Sequence, residues 1–80
     1  MIKTEAFWVA DFKLNEGKIN NCCVWKDKEK GLDLEIFFNE PMVLKDKYKT
    51  LFVQNKYTSI ILKTKYIKDI KIRRIESKEW

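Results

Sequence analysis

The 80-residue chain contains no histidine and has only two cysteines, two glycines and one proline. The absence of histidine removes the commonest general base and the commonest metal ligand. Two isolated glycines cannot form a glycine-rich phosphate-binding loop. Two cysteines without histidine do not complete a zinc site. We therefore predict that the protein is not an enzyme, uses no cofactor, has no metal site and acts on no small-molecule substrate.

Long apolar runs and low-complexity stretches are also missing. No run approaches the roughly 18–20 apolar residues that are needed to span a membrane, and residues 1–5 lack the apolar segment of a signal peptide. The composition is 45% hydrophobic and 14% aromatic, which is typical of a folded domain and too apolar for a disordered chain. These features predict one soluble cytoplasmic domain spanning residues 1–80, with no membrane contact.

The two cysteines are adjacent, at Cys22 and Cys23. In a strand, adjacent side chains point to opposite faces, and adjacent cysteines rarely close a disulfide without distorting the backbone. We expect two free thiols, one buried and one partly exposed.

In the first half of the chain, apolar and polar residues alternate over short segments, as in strands with one buried face. The pattern predicts strands over 2–14, 19–26 and 32–38, joined by a turn at Gly17 and a polar loop over 27–31. The residues expected to be buried together are Trp8, Phe12, Leu34, Ile36 and Phe38. Three strands joined by short loops make an antiparallel meander.

In the second half, Pro41 ends the third predicted strand, because proline cannot donate to a ladder. The pattern over 41–54 fits either a short helix or a strand. Further strands are predicted over 57–64 and 66–75, with a bulge or a strand end where Ile67 and Ile75 fall out of phase. The prediction is a mainly β fold. It is a small antiparallel meander that closes into a five- or six-stranded barrel or a strongly twisted sheet, in the size range of SH3-like and OB-like domains. The prediction also allows one short helix within 41–54.

Positive charge is concentrated in the second half of the chain. Residues 1–40 have a net charge of −2 and residues 41–80 a net charge of +7, which sum to the overall +5. This asymmetry indicates an anionic partner. Basic residues interleave with aromatic ones near the C-terminus, a combination that suits phosphate contact and base stacking. The predicted binding residues are Lys63, Lys65, Tyr66, Lys68, Lys71, Arg73, Arg74 and Trp80.

These observations predict a small non-enzymatic binding module whose basic half contacts nucleic acid or another polyanion. The basic residues are almost all lysines, however, and arginine carries most specific base and phosphate recognition. Exposed lysines also serve solubility and protect edge strands from aggregation.

The alternative is a protein partner with an acidic surface. Phe7, Val9, Phe37 and Trp80 are candidates for an exposed apolar patch, which would mark an interaction site. In size and composition, though not by any motif, the chain resembles inhibitors and accessory proteins encoded by phages and other mobile elements. These include inhibitors of bacterial defence systems such as CRISPR. A continuous basic groove with aromatics would favour nucleic acid, whereas a flat apolar patch rimmed by charge would favour a protein.

Overall fold

The computed structural model describes residues 6–27 and 29–80, so the predicted strand start at 2–5 and Lys28 of the predicted loop lie outside it. Five strands form one antiparallel sheet in the order β4-β3-β2-β1-β5. The strands are β1 (Ala6–Leu14), β2 (Lys18–Trp25), β3 (Thr50–Gln54), β4 (Ser59–Lys63) and β5 (Ile67–Glu76). One α-helix, α1 (Val43–Lys47), precedes β3. Short 3-10 helices span Leu34–Phe37, Thr64–Tyr66 and Ser77–Glu79. The predicted mainly β class is confirmed.

The sheet curls strongly but is not closed into a barrel. The edge strands β4 and β5 do not pair with each other within the described ranges, so the barrel form of the prediction is wrong. β4 and β5 follow each other in the chain but lie at opposite edges of the sheet. In a flat five-stranded sheet, two edge strands would lie about 19 Å apart. The four residue steps from Lys63 to Ile67 reach at most about 14 Å. The sheet must therefore bend to bring its two edges near each other. Asn15 N donates to Tyr66 O at 2.9 Å, which continues the β1–β5 ladder into the β4–β5 connection.

The β1–β2 hairpin follows the prediction. Leu14 N donates to Gly17 O at 2.9 Å, and Gly17 has a φ of 91°, which a glycine adopts without steric cost. The β1–β2 register shifts by one residue between Ala10 and Phe12. The extra residue lies on β2, where Asn20 and Asn21 stand opposite Asp11; Asn21 has a φ of 58° and its backbone N–H donates to Asp11 Oδ1 at 2.7 Å.

The third predicted strand is wrong, because a 3-10 helix at Leu34–Phe37 occupies its place. This helix repeats every three residues, so Leu34 and Phe37 share the face that is buried. Asp33 caps the helix by accepting a hydrogen bond from Glu35 N at 3.1 Å. Ile36 is 69% exposed and Phe38 is 47% exposed, so the prediction that they are buried fails.

For segment 41–54 the sequence fitted either a short helix or a strand. The segment contains both, because α1 precedes β3 there. The later strands are confirmed with shorter or shifted bounds. The β1–β5 register shifts between Lys13 and Leu14, where Leu14 pairs with Ile67, which places a bulge at the predicted site.

The core lies on one face of the curled sheet and is closed by α1 and the first 3-10 helix. Its largest fully buried side chains are Phe12, Leu44, Leu51 and Ile67. Trp8 is half-buried against this core and contacts the ring of Phe38 at a centroid distance of 5.1 Å. Cys22 is buried and Cys23 half-buried, both as free thiols, as predicted.

Candidate functional site

The eight residues predicted to bind an anion fall into three places. The connection between β4 and β5 carries Lys63, Lys65 and Tyr66, with Lys68 just beyond it. The sheet face that points away from the core carries Lys71, Arg73 and Trp80. Arg74 lies on the other face, with its guanidinium 6.0 Å from the ring centroid of Trp8. The structure therefore brings Lys63, Lys65 and Tyr66 together in one connection, whereas Lys68 lines a separate depression with Lys71.

Arg73 and Trp80 are engaged within the protein. Arg73 Nε lies 2.7 Å from Asp11 Oδ2 and Arg73 Nη2 lies 3.3 Å from Asp11 Oδ1, a two-point ion pair. Arg73 Nη2 also donates to Asn21 Oδ1, and the indole Nε1–H of Trp80 donates to Asn21 O at 2.6 Å. These bonds fasten the C-terminal segment to the sheet and leave Arg73 largely neutralised.

The predicted exposed apolar patch is also wrong. Val9 and Phe37 are buried. Phe7 and Trp80 are half-buried and contact each other edge to face, with centroids 6.1 Å apart. Phe7 lies directly opposite Ile75 in the β1–β5 pair. These residues therefore form a small internal cluster under the C-terminal segment.

A different apolar row crosses β2, β3 and β4 on the face of the sheet that points away from the core. Trp25 on β2 lies directly opposite Phe52 on β3, and Phe52 lies directly opposite Ile61 on β4. Their strand neighbours Val24 and Val53 are buried in the core, so the row points away from it. Ile61 is 61% exposed, whereas Trp25 and Phe52 are half-buried. We call Trp25, Phe52, Ile60 and Ile61, together with the outer edge of β4, the β4 surface.

The backbone of β4 presents an open edge. Asn55 N donates to Thr58 O at 2.8 Å, and Thr64 N donates to Lys49 O at 3.0 Å. Hydrogen-bonded pairs alternate along an antiparallel ladder, so between these two bonds Ile60 and Leu62 bond to β3. The N–H and C=O groups of Ser59, Ile61 and Lys63 then point outward, and no other described strand pairs with them.

The two edge strands differ in how they are protected against pairing with another chain. Six of the ten residues of β5 are charged, whereas one of the five residues of β4, Lys63, is charged. Charged side chains discourage strand addition, and an apolar edge invites it. β4 is therefore the edge at which another chain can add.

Asn55 holds the β3–β4 turn in place. Its Oδ1 accepts hydrogen bonds from Tyr57 N and Thr58 N, both at 2.8 Å, and its Nδ2 donates to Asn20 O at 3.0 Å. The first two bonds fix the turn and the third ties it to β2. Hydrogen bonds thus hold the β4 edge in one conformation, and preorganisation of this kind lowers the entropic cost of binding.

Three lysines surround a shallow depression at one end of the β4 surface. Lys49, Lys63 and Lys65, the lysine cluster, line it together with Thr50 and Thr64. The buried Thr64 hydroxyl donates to Tyr48 O at 2.6 Å, which fixes the backbone here. The ion pairs between described residues are Arg73–Asp11 and Lys78–Glu76, so the cluster's charges are not neutralised by them. Lys65 Nζ lies 5.1 Å from the ring centroid of the half-exposed Tyr66.

The loop after β2 borders the other end of the row. Gly31 bridges to Trp25, and a Cβ at Gly31 would lie 3.7 Å from Trp25 Nε1, an ordinary contact. Asp27 accepts backbone hydrogen bonds from Glu29 and Lys30, both at 2.9 Å, which lower the pKa of its carboxyl. Asp27 lines one groove together with Trp25, Phe52 and Ile61, so the apolar row is rimmed by the lysine cluster at one end and a carboxylate at the other.

The sequence analysis missed the β4 surface because it assigned apolar residues to only one face of each strand. The consecutive apolar residues at 51–53 and 60–62 were the available signal. Three adjacent apolar residues in a strand must place at least one of them on the outer face.

Comparison of the chain with protein-family models, curated proteins and solved structures finds no match. Within residues 6–27 and 29–80, no cluster of three potential metal ligands occurs. Over the same residues, no helix has the length and apolarity required to cross a membrane.

Proposed function

We propose that this protein is a non-catalytic protein-binding module and that its partner docks on the β4 surface. The observation that carries the proposal is Ile61, which is 61% exposed in a row with Phe52 and Trp25 beside an open strand edge. Protein interfaces typically combine an apolar, aromatic centre with a polar or charged rim. Tryptophan and other aromatics contribute strongly to binding when a partner covers them.

An acidic partner fits the charge around this surface. The lysine cluster lies at one end of the row, and the chain carries a net charge of +5. Opposite charges at an interface rim speed association and disfavour wrong partners. A module of this kind acts by occupying a surface of its partner, which is how an inhibitor or an accessory protein of phage type works.

Site-specific photo-crosslinking in cells that express the protein tests this proposal. The photoreactive residue benzoylphenylalanine would replace Phe52 on the β4 surface. In a matched control it would replace Phe38, an exposed phenylalanine that packs on Trp8, away from that surface. We expect a nuclease-resistant protein adduct at Phe52, absent at Phe38 and lost when Ile61→Lys is added. Equal adducts at both positions, or no protein adduct at Phe52, would contradict the proposal.

Nucleic acid is the second candidate, and it is favoured by one observation. Lys65 of the lysine cluster has its Nζ 5.1 Å from the ring centroid of the half-exposed Tyr66, so groups for phosphate contact and base stacking are close together. Three neutralised phosphates would give single-strand binding a log–log salt slope of about −2, and Tyr66→Ala would cost about 1–3 kcal/mol if a base stacks there.

Titration of labelled single- and double-stranded oligonucleotides at low and moderate salt measures both quantities. The variant Lys63→Glu, Lys65→Glu should lose binding. The control Lys13→Glu, Lys18→Glu makes the same charge change at two exposed lysines of the β1–β2 hairpin and should retain it. No binding by the unmodified protein at low salt would end this alternative.

A further inference from the structure

We propose that the partner contributes an extended segment that adds to the outer edge of β4 as an antiparallel strand. In this arrangement an apolar residue lies opposite Ile61 and an acidic residue opposite Lys63. This inference rests on the proposed function, because it specifies how the partner occupies the β4 surface. It follows from the direction of backbone groups, the faces of the side chains and the charge at one end of β4.

The backbone of β4 offers the bonding pattern that an incoming strand requires. Ser59, Ile61 and Lys63 point their N–H and C=O groups outward at alternate positions. These are the positions at which an antiparallel neighbour exchanges pairs of hydrogen bonds. Addition of a peptide strand to an exposed sheet edge is an established mode of recognition, in which backbone bonds supply affinity and alternate side chains supply specificity.

The side chains of the same three residues lie on the outer face with Phe52. A partner residue opposite Ile61 would extend the row Trp25–Phe52–Ile61 by a fourth apolar side chain, since cross-strand neighbours pack directly against each other. The intervening partner residues would lie beside Ile60, which is partly exposed on the core side. They are expected to be β-branched.

The partner residue opposite Lys63 is expected to be acidic, because Lys49 and Lys65 border the same depression. The residue opposite Ser59 is expected to be small and polar, because the groove that Ser59 lines also holds the carboxylate of Asp27 and would repel a second acidic residue. An antiparallel partner meets Lys63 first, so its segment reads acidic, β-branched, apolar, β-branched, small polar from its N-terminus. Glu-Val-Ile-Val-Thr is one sequence of this class.

A second copy of the chain fits this edge less well. Antiparallel pairing of two β4 strands about Ile61 would place Ser59 opposite Lys63, so the lysine cluster would gain no anion. It would also bring together two chains that each carry a net charge of +5. An acidic segment of another protein satisfies both the edge and the charge.

Fluorescence anisotropy with a labelled peptide tests the chemistry of the segment. The peptide would contain Glu-Val-Ile-Val-Thr between Gly-Ser flanks, and its control would carry lysine in place of glutamate. A solvent-exposed ion pair is worth up to about fivefold in affinity. We expect the unmodified protein to prefer the glutamate peptide by about three- to tenfold and Lys63→Glu to reverse that preference. Lys13→Glu, the matched charge change elsewhere, should leave it intact.

The variant Ile61→Pro tests the backbone contact. Its missing N–H would point outward, so no hydrogen bond to β3 is lost and proline is tolerated at such an edge position. We expect Ile61→Pro to bind the glutamate peptide at least fivefold more weakly, because an outward donor is gone. Ile61→Val keeps the donor and should bind normally. Circular dichroism would verify that both variants fold.

The possible failures separate the two proposals. A Phe52 crosslink to protein, together with no binding of either peptide, would overturn strand addition and leave the proposed function standing. Equal affinity for both peptides would overturn the acidic requirement. A dimer in analytical ultracentrifugation that Ile61→Pro dissociates would show that a second copy is the occupant, which would overturn the assignment to an acidic segment.

Discussion

Adjacent truncations on β4 should differ severalfold in their cost to stability. Leu62 is 5% exposed and belongs to the core, so Leu62→Ala removes buried methyl groups and leaves a cavity, at a cost of about 2–5 kcal/mol. Ile61 is 61% exposed, so about two fifths of its surface is covered. Full burial of an isoleucine side chain is worth about 1.5–3 kcal/mol, so Ile61→Ala should cost about 0.6–1.2 kcal/mol.

Urea denaturation followed by circular dichroism measures both costs in the same way. For a domain of this size, 1 kcal/mol corresponds to about 4–8 °C in melting temperature, so thermal unfolding also resolves the difference. Equal costs, or a larger cost for Ile61→Ala, would refute the reasoning. Such a result would mean that the phase of β4 is reversed and that the row Trp25–Phe52–Ile61 points into the core.

Three further stability predictions concern other parts of the fold. In urea denaturation, Leu34→Ala should lower the free energy of unfolding by about 2–5 kcal/mol, and Ile36→Ala by less than about 1 kcal/mol. A larger loss for Ile36→Ala would favour the predicted third strand over the 3-10 helix. Thr64→Val should cost about 1–3 kcal/mol by the same assay, because it removes a buried donor from a backbone carbonyl, and no loss would show that this bond is not formed. Burial raises the pKa of Cys22 to about 12 and also raises that of Cys23. The unfolded chain therefore ionises first, and stability should fall as pH rises from about 8.5 toward 12. Cys22→Ala should give a shallower fall in unfolding free energy measured across that range, and an unchanged slope would contradict the burial argument.

The sequence was most informative where local pattern and pairing agree. The alternation around Phe12 and the freedom of Gly17 predicted the β1–β2 hairpin, because a tight turn fixes the register of its own strands. The alternation at 32–38 failed because Leu34 and Phe37 also satisfy a three-residue repeat. Residues 32–38 could form a strand only if a neighbouring strand offered them an unpaired edge. β2 offers none, because it pairs with β3, which lies far along the chain.

The candidate site was less predictable because long-range contacts decide it. In the sequence, Arg73 is one of several closely spaced basic residues. In the structure it pairs with Asp11, 62 positions away. Trp80 looked exposed at the terminus, but its indole bonds to Asn21 O. The exposure of Ile61 follows from the position of β4 at the edge of the sheet, and that position depends on pairings that no local pattern contains.

Amide hydrogen exchange along β4, followed by NMR, tests the open edge most directly. In the free protein we predict fast exchange at Ser59, Ile61 and Lys63, whose amides point outward, and slow exchange at Ile60 and Leu62, which bond to β3. Addition of the glutamate peptide should slow exchange at Ile61 and Lys63. Uniform protection along β4 in the free protein, or fast exchange at Ile60 and Leu62, would contradict the claim that this strand offers a free edge to a partner.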